Sequence, residues 1–588
     1  MPNVWNIGNT TVRNPKRIEN ALRVFLEEGF SGNAKGSDIE ARLHGKLKER
    51  EVLEFDGEPS DWNGRKWRAA FYQLGFISYE RYNIAGTRLS TDQFFPTIGL
   101  PNITSNYELT PAGSKLINAG SIPEIEEIYT RQFVCYELPN ALESNFPEGS
   151  MKPFILLLQV LLLLQQSGHD GLNKFETGLF LQKFRNHTSE LPQLIVDEIL
   201  EYRRQLATCS NAREIRELKN RYKAGLGEET GINPNSVVSD YSDTTFRYFS
   251  LSGLFSRIGQ TIVIRSNKLR FVQELLQSEP TFLFSANPTQ YLEAYYKNNF
   301  PLPTDQKDFA LQEINSLKDG IRDRNNPLLT EANGLSPASE IADIQRIRLQ
   351  LIEYNNWERE EDFANEQQTP EAISDIINYL KVLNGETVPD GPEIDDRPAY
   401  LEWAVWRSFL AINEIISPVH LTRRFPVDQD FQPRNTAPGG GADLLFEFDT
   451  YVLVVEVTLT TSHRQMAVES EPVRRHTVQY KELYPNKDVY CLFIAPTVDN
   501  NVAETFRIGV WYKHDEEEFV NIVPMNLSDF INAIEGLTTR RYSNAEFKNL
   551  IERCLVFRNV RAPQWKLSIS NEVNIWKSRI LAISNLNT

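Results

Sequence analysis

Two short stretches decide the fold of the C-terminal part of the chain: residues 442–448, ADLLFEF, and residues 451–459, YVLVVEVTL, separated only by Asp449 and Thr450. Their β-branched and aromatic content predicts two strands joined by a tight turn. Strands that are almost continuously apolar are buried on both faces, so helices must pack against the sheet. A third such run, VYCLFIA at 489–495, follows a polar stretch that reads as a long helix over about 464–484. Another helix is predicted over about 400–412, ahead of the hairpin. From residue 398 onward the chain therefore reads as an α/β domain.

Within the hairpin, Asp443 enters the first strand and Glu456 stands near the end of the second. The turn brings those two ends together. A carboxylate in a run such as VLVVEV is costly to bury unless it is paired or bound to a cation. Glu456 therefore either meets a nearby Arg, reaches solvent at the strand end, or joins Asp443 in an oxygen site suited to Mg²⁺. The Val457 carbonyl faces the same edge as a further candidate ligand. Gly439, Gly440 and Gly441 permit a close backbone approach by a phosphodiester, or form only a flexible turn. Glu402 on the preceding helix and Glu469 with Glu471 on the following one either add negative charge there or are solvated helix charges. Arg474, Arg475 and His476 either face a scissile phosphate or lie on an exposed helix face.

Moving outward, residues 301–397 hold 21 Asp and Glu against 9 Lys and Arg, so this segment accounts for most of the net charge of −17. The rest is nearly balanced, which leaves room for locally basic, DNA-facing surfaces. The segment reads as an acidic helical linker ending in the hinge VPDGPEIDDRP. Residues 1–300 carry two helix–hairpin–helix patterns of winged-helix type. One is a helix begun at Ser60 or Asp61, the strand FISYE and the segment YELTPAGSKLINAG; the other is an aromatic helix at 246–255, a turn at Gly259, the strand TIVIR and the helix LRFVQELLQ. A third helix-turn-helix is expected at 171–184. Arg65, Lys66, Arg68, Lys174 and Lys183 are the candidate DNA contacts. The expected architecture is thus multidomain: a mainly α region of winged-helix/helix-turn-helix type (1–300), a helical linker (301–397) and a C-terminal α/β domain (398–588).

The apolar run at 154–164 is too short to span a membrane, where about 20 residues are needed. The N-terminus has no signal-peptide pattern, so the cytoplasm is expected. Cys135, Cys209, Cys491 and Cys554 have no metal-type spacing and are expected to be free thiols. No Walker loop, Rossmann glycine pattern, HExxH or GxSxG is present, which removes the common alternatives.

Residues of about 401–495, through LEWAVW, GGADLLF, VVEVTLT, MAVESEPVRRH and YCLFIAP, resemble the catalytic region of the AlwI-type family of type IIS restriction endonucleases, which includes large subunits of site-specific nicking endonucleases. FRYFSLSGLFSRIGQTIVI and YELTPAGSKLI resemble its recognition region. The resemblance implies a PD-(D/E)xK-like nuclease domain, with the family's acidic helix position at Glu402, its first metal-binding Asp at Asp443, its second carboxylate and adjacent carbonyl at Glu456 and Val457, and an additional Glu at Glu469. It implies Mg²⁺ as cofactor, a short asymmetric site on double-stranded DNA cut a few base pairs to one side, a second copy or small catalytic subunit for the other strand, and a cognate DNA methyltransferase. Thr458 stands where the general pattern has Lys, with Gln479 and Lys481 as candidate substitutes. Three alternatives stay open: a strand-specific nickase as the large subunit of a heterodimer, a DNA-binding protein whose nuclease domain is inactive because Thr458 replaces Lys, and an enzyme on some other substrate.

Overall fold

The computed structural model describes residues 4–586 except 34–36, 51, 54–57, 80–105, 141–148, 170, 259–260, 278–279, 390, 395, 462 and 514–515. Gly259, and Asp390 and Asp395 of the hinge, lie outside the described residues. The chain is mostly helical with small sheets and forms two compact units, Met1–Glu353 and Tyr354–Thr588. The acidic segment is shared between them.

The first unit is organised around the helix Pro153–Gln166. Apolar on nearly all sides, it is buried on nearly all sides, as such a helix must be. Phe154 meets the ring of Phe249 at 4.9 Å, edge to face. The first expected pattern is present element by element. Ser60 caps the helix Asp61–Gln73, Ile77–Tyr79 pairs antiparallel with Tyr107–Leu109, and Thr110 caps Pro111–Asn118. In the second, the helix Ser242–Phe249 stops short of Phe255, which already belongs to the strand Phe255–Ile258; that strand pairs with Thr261–Ile264.

In the expected third helix-turn-helix, the helix is present as Lys174–Glu176 running into Thr177–Leu181. Ahead of it, Leu172–Asn173 is a short strand paired antiparallel with Ile262 and Thr261, which adds a third strand to the sheet of the second pattern. Gly171 makes this possible: its φ is +50°, and a Cβ there would stand 2.1 Å from the Ile262 carbonyl oxygen. Two residues carry too little local signal to mark a strand, and only the partner strand decides it. The first part of the acidic segment is seated by Arg348, which is buried in ion pairs with Glu127 and Glu313.

The second unit holds a four-stranded sheet. Its parts are helices α1 (Pro370–Leu383) and α2 (Arg397–Ile412), strands β1 (Leu444–Glu447) and β2 (Tyr451–Val457), helix α3 (His463–Leu483), and strands β3 (Asp488–Ala495) and β4 (Ile522–Asn526). The strand order is β4-β3-β2-β1, with β1 antiparallel to β2 and the other pairs parallel. A parallel β2–β3 pair requires a crossover, and α3 supplies it. Helix α2 covers the sheet through Phe409, whose ring lies 4.7 Å from Phe446 and 5.4 Å from Phe547. Sequence reading stopped at β3. The final strand and the helices Leu527–Glu535, Asn544–Val556 and Ala562–Leu586 complete the cover. All four cysteines are free thiols, and no described helix is long and apolar enough to cross a membrane.

Candidate active site

Strand pairing positions the two central carboxylates. Leu444 of β1 lies opposite Val455 of β2. One step further along, Asp443 comes opposite Glu456, and residues directly opposite in an antiparallel pair share a face. Asp443 Oδ2 accepts a 2.9 Å hydrogen bond from the Val457 N–H, which ties the mouth of the hairpin. Glu456 is only 7% exposed. A 2.7 Å hydrogen bond joins its Oε1 to Nδ1 of His476 on α3, whose buried Nε2 has no hydrogen-bond partner among the described residues. Glu402, on α2 and 5% exposed, accepts a 2.7 Å bond from the Ala437 N–H.

These acids perturb one another strongly. Burial, then the charge of Glu456, drives the Asp443 carboxyl well above the ordinary range. Burial, then Glu469, pushes Glu456 up to about 8. Burial, then Asp443, holds Glu402 well above its usual value. Crowded, desolvated carboxylates of this kind need a cation or retained protons. No group of three or more His, Cys, Asp or Glu side chains forms a metal cluster among the described residues. Two opposed carboxylates are nevertheless the donor set Mg²⁺ takes while keeping several waters, so these residues fit that ion.

The basic residues of α3 behave differently from one another. Arg475 pairs with Glu471 one helical turn away at 3.0 Å. Arg474 donates to the Val510 carbonyl and lies over the Trp511 ring. Of the three, only His476 reaches a central carboxylate. Lys481 is held by Glu518 and the Phe519 carbonyl, and Gln479 is exposed. Thr458 donates its backbone N–H to the Ile494 carbonyl, and its hydroxyl accepts from the Thr460 N–H.

The sequence profile of the AlwI restriction endonuclease matches residues 73–533, which takes in β1, β2, α3 and every acid described above. The chain belongs to the AlwI restriction endonuclease family. No relative among curated proteins matches. Among the solved structures that are similar are the following two. The small subunit of the heterodimeric restriction endonuclease R.BspD6I is 21% identical over 34% of this chain and 97% of its own, with a TM-score of 0.27. The BpuJ1 endonuclease binding domain, solved with pyrene- and phenanthrene-modified DNA, is 12% identical over 47% of this chain and 90% of its own, with a TM-score of 0.28.

In this AlwI-family chain the candidate DNA-contacting cations fall into two groups. Arg68 is paired with Glu40 at 2.5 Å, Lys174 with Asp243, and Lys183 lies 3.3 Å from both Glu198 and Glu229. Those three are neutralised by carboxylates. Arg65 and Lys66 instead stand over the ring of Trp62, at 4.8 and 4.5 Å, and Trp62 is 55% exposed.

Sequence reading missed Arg424. Its backbone N–H donates to the Asp443 carbonyl at 3.2 Å. The charge of its side chain lowers the pKa of Glu456, and its Nη1 is buried without a hydrogen-bond acceptor among the described residues. No local pattern marks this arginine, because the loop that carries it pairs with β1 only in the folded chain.

Proposed function

We propose that this protein is a Mg²⁺-dependent type IIS restriction endonuclease. Its N-terminal unit, through winged-helix-like parts, reads a short asymmetric duplex sequence, and its C-terminal PD-(D/E)xK-like unit hydrolyses a phosphodiester a few base pairs to one side. The observation that carries this reading is the opposed pair of half-buried Asp443 and buried Glu456 at the end of β1 and β2, in a chain of this family.

Asp443, Glu456 and the Val457 carbonyl would hold Mg²⁺. When bound, the ion supplies charge stabilisation at the phosphoryl oxygens and a more acidic water. The protein's own residues do the positioning. The Val457 N–H fixes Asp443 Oδ2 and leaves Oδ1 without a hydrogen bond among the described residues. His476 fixes Glu456 Oε1, and Glu402 and Glu469 add negative charge that favours a cation over a retained proton. In the reaction, a water oxygen bonds to phosphorus, the bond from phosphorus to the 3′ oxygen breaks, and a proton ends on that oxygen. The products are 5′-phosphate and 3′-hydroxyl ends.

Incubating the full chain with a mixed plasmid pool and Mg²⁺, followed by sequencing of the ends, tests this reading. Cuts at a fixed distance from one asymmetric sequence are expected; intact plasmid would overturn it. A strand-specific nickase is the second reading. It is favoured by the presence of one Asp/Glu constellation of this kind among the described residues.

A further inference from the structure

The lysine usual in this kind of nuclease is replaced by Thr458, and the two nearby substitutes do not fill its place. Arg424 stands on the other side of the pair. Its main chain is bonded to the carbonyl of Asp443, while its Nη2 donates to the Gly439 carbonyl at 3.3 Å. Nη1 is buried, yet no acceptor meets it among the described residues. Leaving a guanidinium N–H unsatisfied is costly, and it persists where a ligand oxygen completes it.

The Gly439–Gly441 run explains how the side chain gets there. A Cβ on Gly441 would stand 2.6 Å from Arg424 Nη1 and 3.0 Å from Cζ. Gly441 is thus the residue whose missing side chain admits the guanidinium. Gly439 and Gly440, by contrast, have open space around the position of a Cβ. Among the cations whose charge bears on Glu456, Arg475 is already paired with Glu471, whereas Arg424 has no carboxylate partner among the described residues.

We infer that Arg424 is a catalytic residue, placed by Gly441, whose guanidinium contacts a non-bridging oxygen of the scissile phosphate in place of the absent lysine. This rests on the endonuclease reading above. The step gains charge stabilisation as negative charge builds on the phosphoryl oxygens; no proton leaves the arginine, whose guanidinium stays charged throughout.

The test uses the full chain, wild type and R424A, R424K, G441A and D443N, on the target mapped by end sequencing. R424A is expected to slow single-turnover cleavage by roughly 100-fold or more, with R424K and G441A intermediate. Added guanidinium chloride in the millimolar range should recover part of the R424A rate and none of the D443N rate. In chelator, with no cleavage, a neutral methylphosphonate replaces the scissile linkage of the duplex. Neutralising it should improve binding more in R424A than in wild type, by about fivefold or more, since the carboxylates then repel the phosphate unopposed.

A cutting wild type with an equally fast, folded R424A overturns the inference alone. So does a slow R424A in which the methylphosphonate effect matches wild type, because Arg424 would then act only on the fold. Should R424A fail to fold, G441A decides: unchanged cleavage and unchanged methylphosphonate response overturn the proposal. A wild type that cuts no duplex overturns the endonuclease reading and Arg424's role with it.

Discussion

The carboxylate of Asp443 is bonded to the backbone N–H of Val457, the residue that follows Glu456, at 2.9 Å. This bond holds the carboxyl groups of Asp443 and Glu456 on one face at the open end of the hairpin. Replacing either acid by its amide keeps the shape and removes the charge. D443N and E456Q are therefore expected to lower cleavage by roughly 1,000-fold or more, as loss of a metal ligand does, while duplex binding persists. Gel shift and cleavage on the same preparation check this, and full activity in either variant would remove the site.

Two desolvated carboxylates that repel each other destabilise the protein when no cation is present. In chelator at pH 8, D443N should unfold at a higher temperature than wild type. In Mg²⁺ the order should reverse, because ligand at about 100 times its Kd adds about 2.7 kcal/mol to the state that binds it. Thermal unfolding with and without Mg²⁺ reads both effects. A D443N protein with the wild-type Mg²⁺ response would show that Asp443 holds no cation.

Glu137, 1% exposed, accepts from the N–H groups of Leu283, at 3.0 Å, and Phe284. Burial pushes its carboxyl up from 4.5 to about 7. Since the folded value lies above the unfolded one, its contribution to stability is full below pH 4.5 and is lost as pH rises through about 7. A shift of this size corresponds to about 3 kcal/mol. Relative to E137Q, the wild type should lose stability across that window in urea unfolding. Parallel pH profiles would show that Glu137 does not titrate there.

Arg65 and Lys66 flank the exposed Trp62, whereas Lys183 is shared by Glu198 and Glu229. The double variant R65A/K66A should weaken duplex binding and reduce the slope of log affinity against log salt by up to about 2, roughly 0.9 per phosphate contact. K183A should leave that slope unchanged. Equal effects would remove Trp62's neighbours as the DNA-facing group.

One such constellation attacks one phosphodiester at a time. On supercoiled plasmid with a single target, open circles should accumulate before linear DNA, and the second cut should accelerate with protein concentration if another copy supplies it. Direct conversion to linear DNA at high dilution would contradict this, and open circles that persist at every concentration favour a nickase.

The sequence by itself determined the hairpin, the pairing of Asp443 with Glu456 and the long helix after it. Continuous apolar runs around a two-residue turn admit one register, and that register is enough to place two carboxylates face to face. It also determined the family, through LEWAVW, GGADLLF and VVEVTLT. It missed the two-residue strand Leu172–Asn173 ahead of the helix at 174–181, a strand that exists only because Ile262 and Thr261 pair with it.

Which charges are available follows from long-range packing. The sequence marks Arg65, Lys66, Arg68, Lys174 and Lys183 as equivalent cations, but Glu40, Asp243, Glu198 and Glu229 arrive beside three of them from distant positions. It likewise brought His476 to Glu456 and Arg424 to Gly441. Strand register is a local consequence of side-chain alternation and turn length. Charge pairing depends on which surfaces pack together, and that depends on the whole fold.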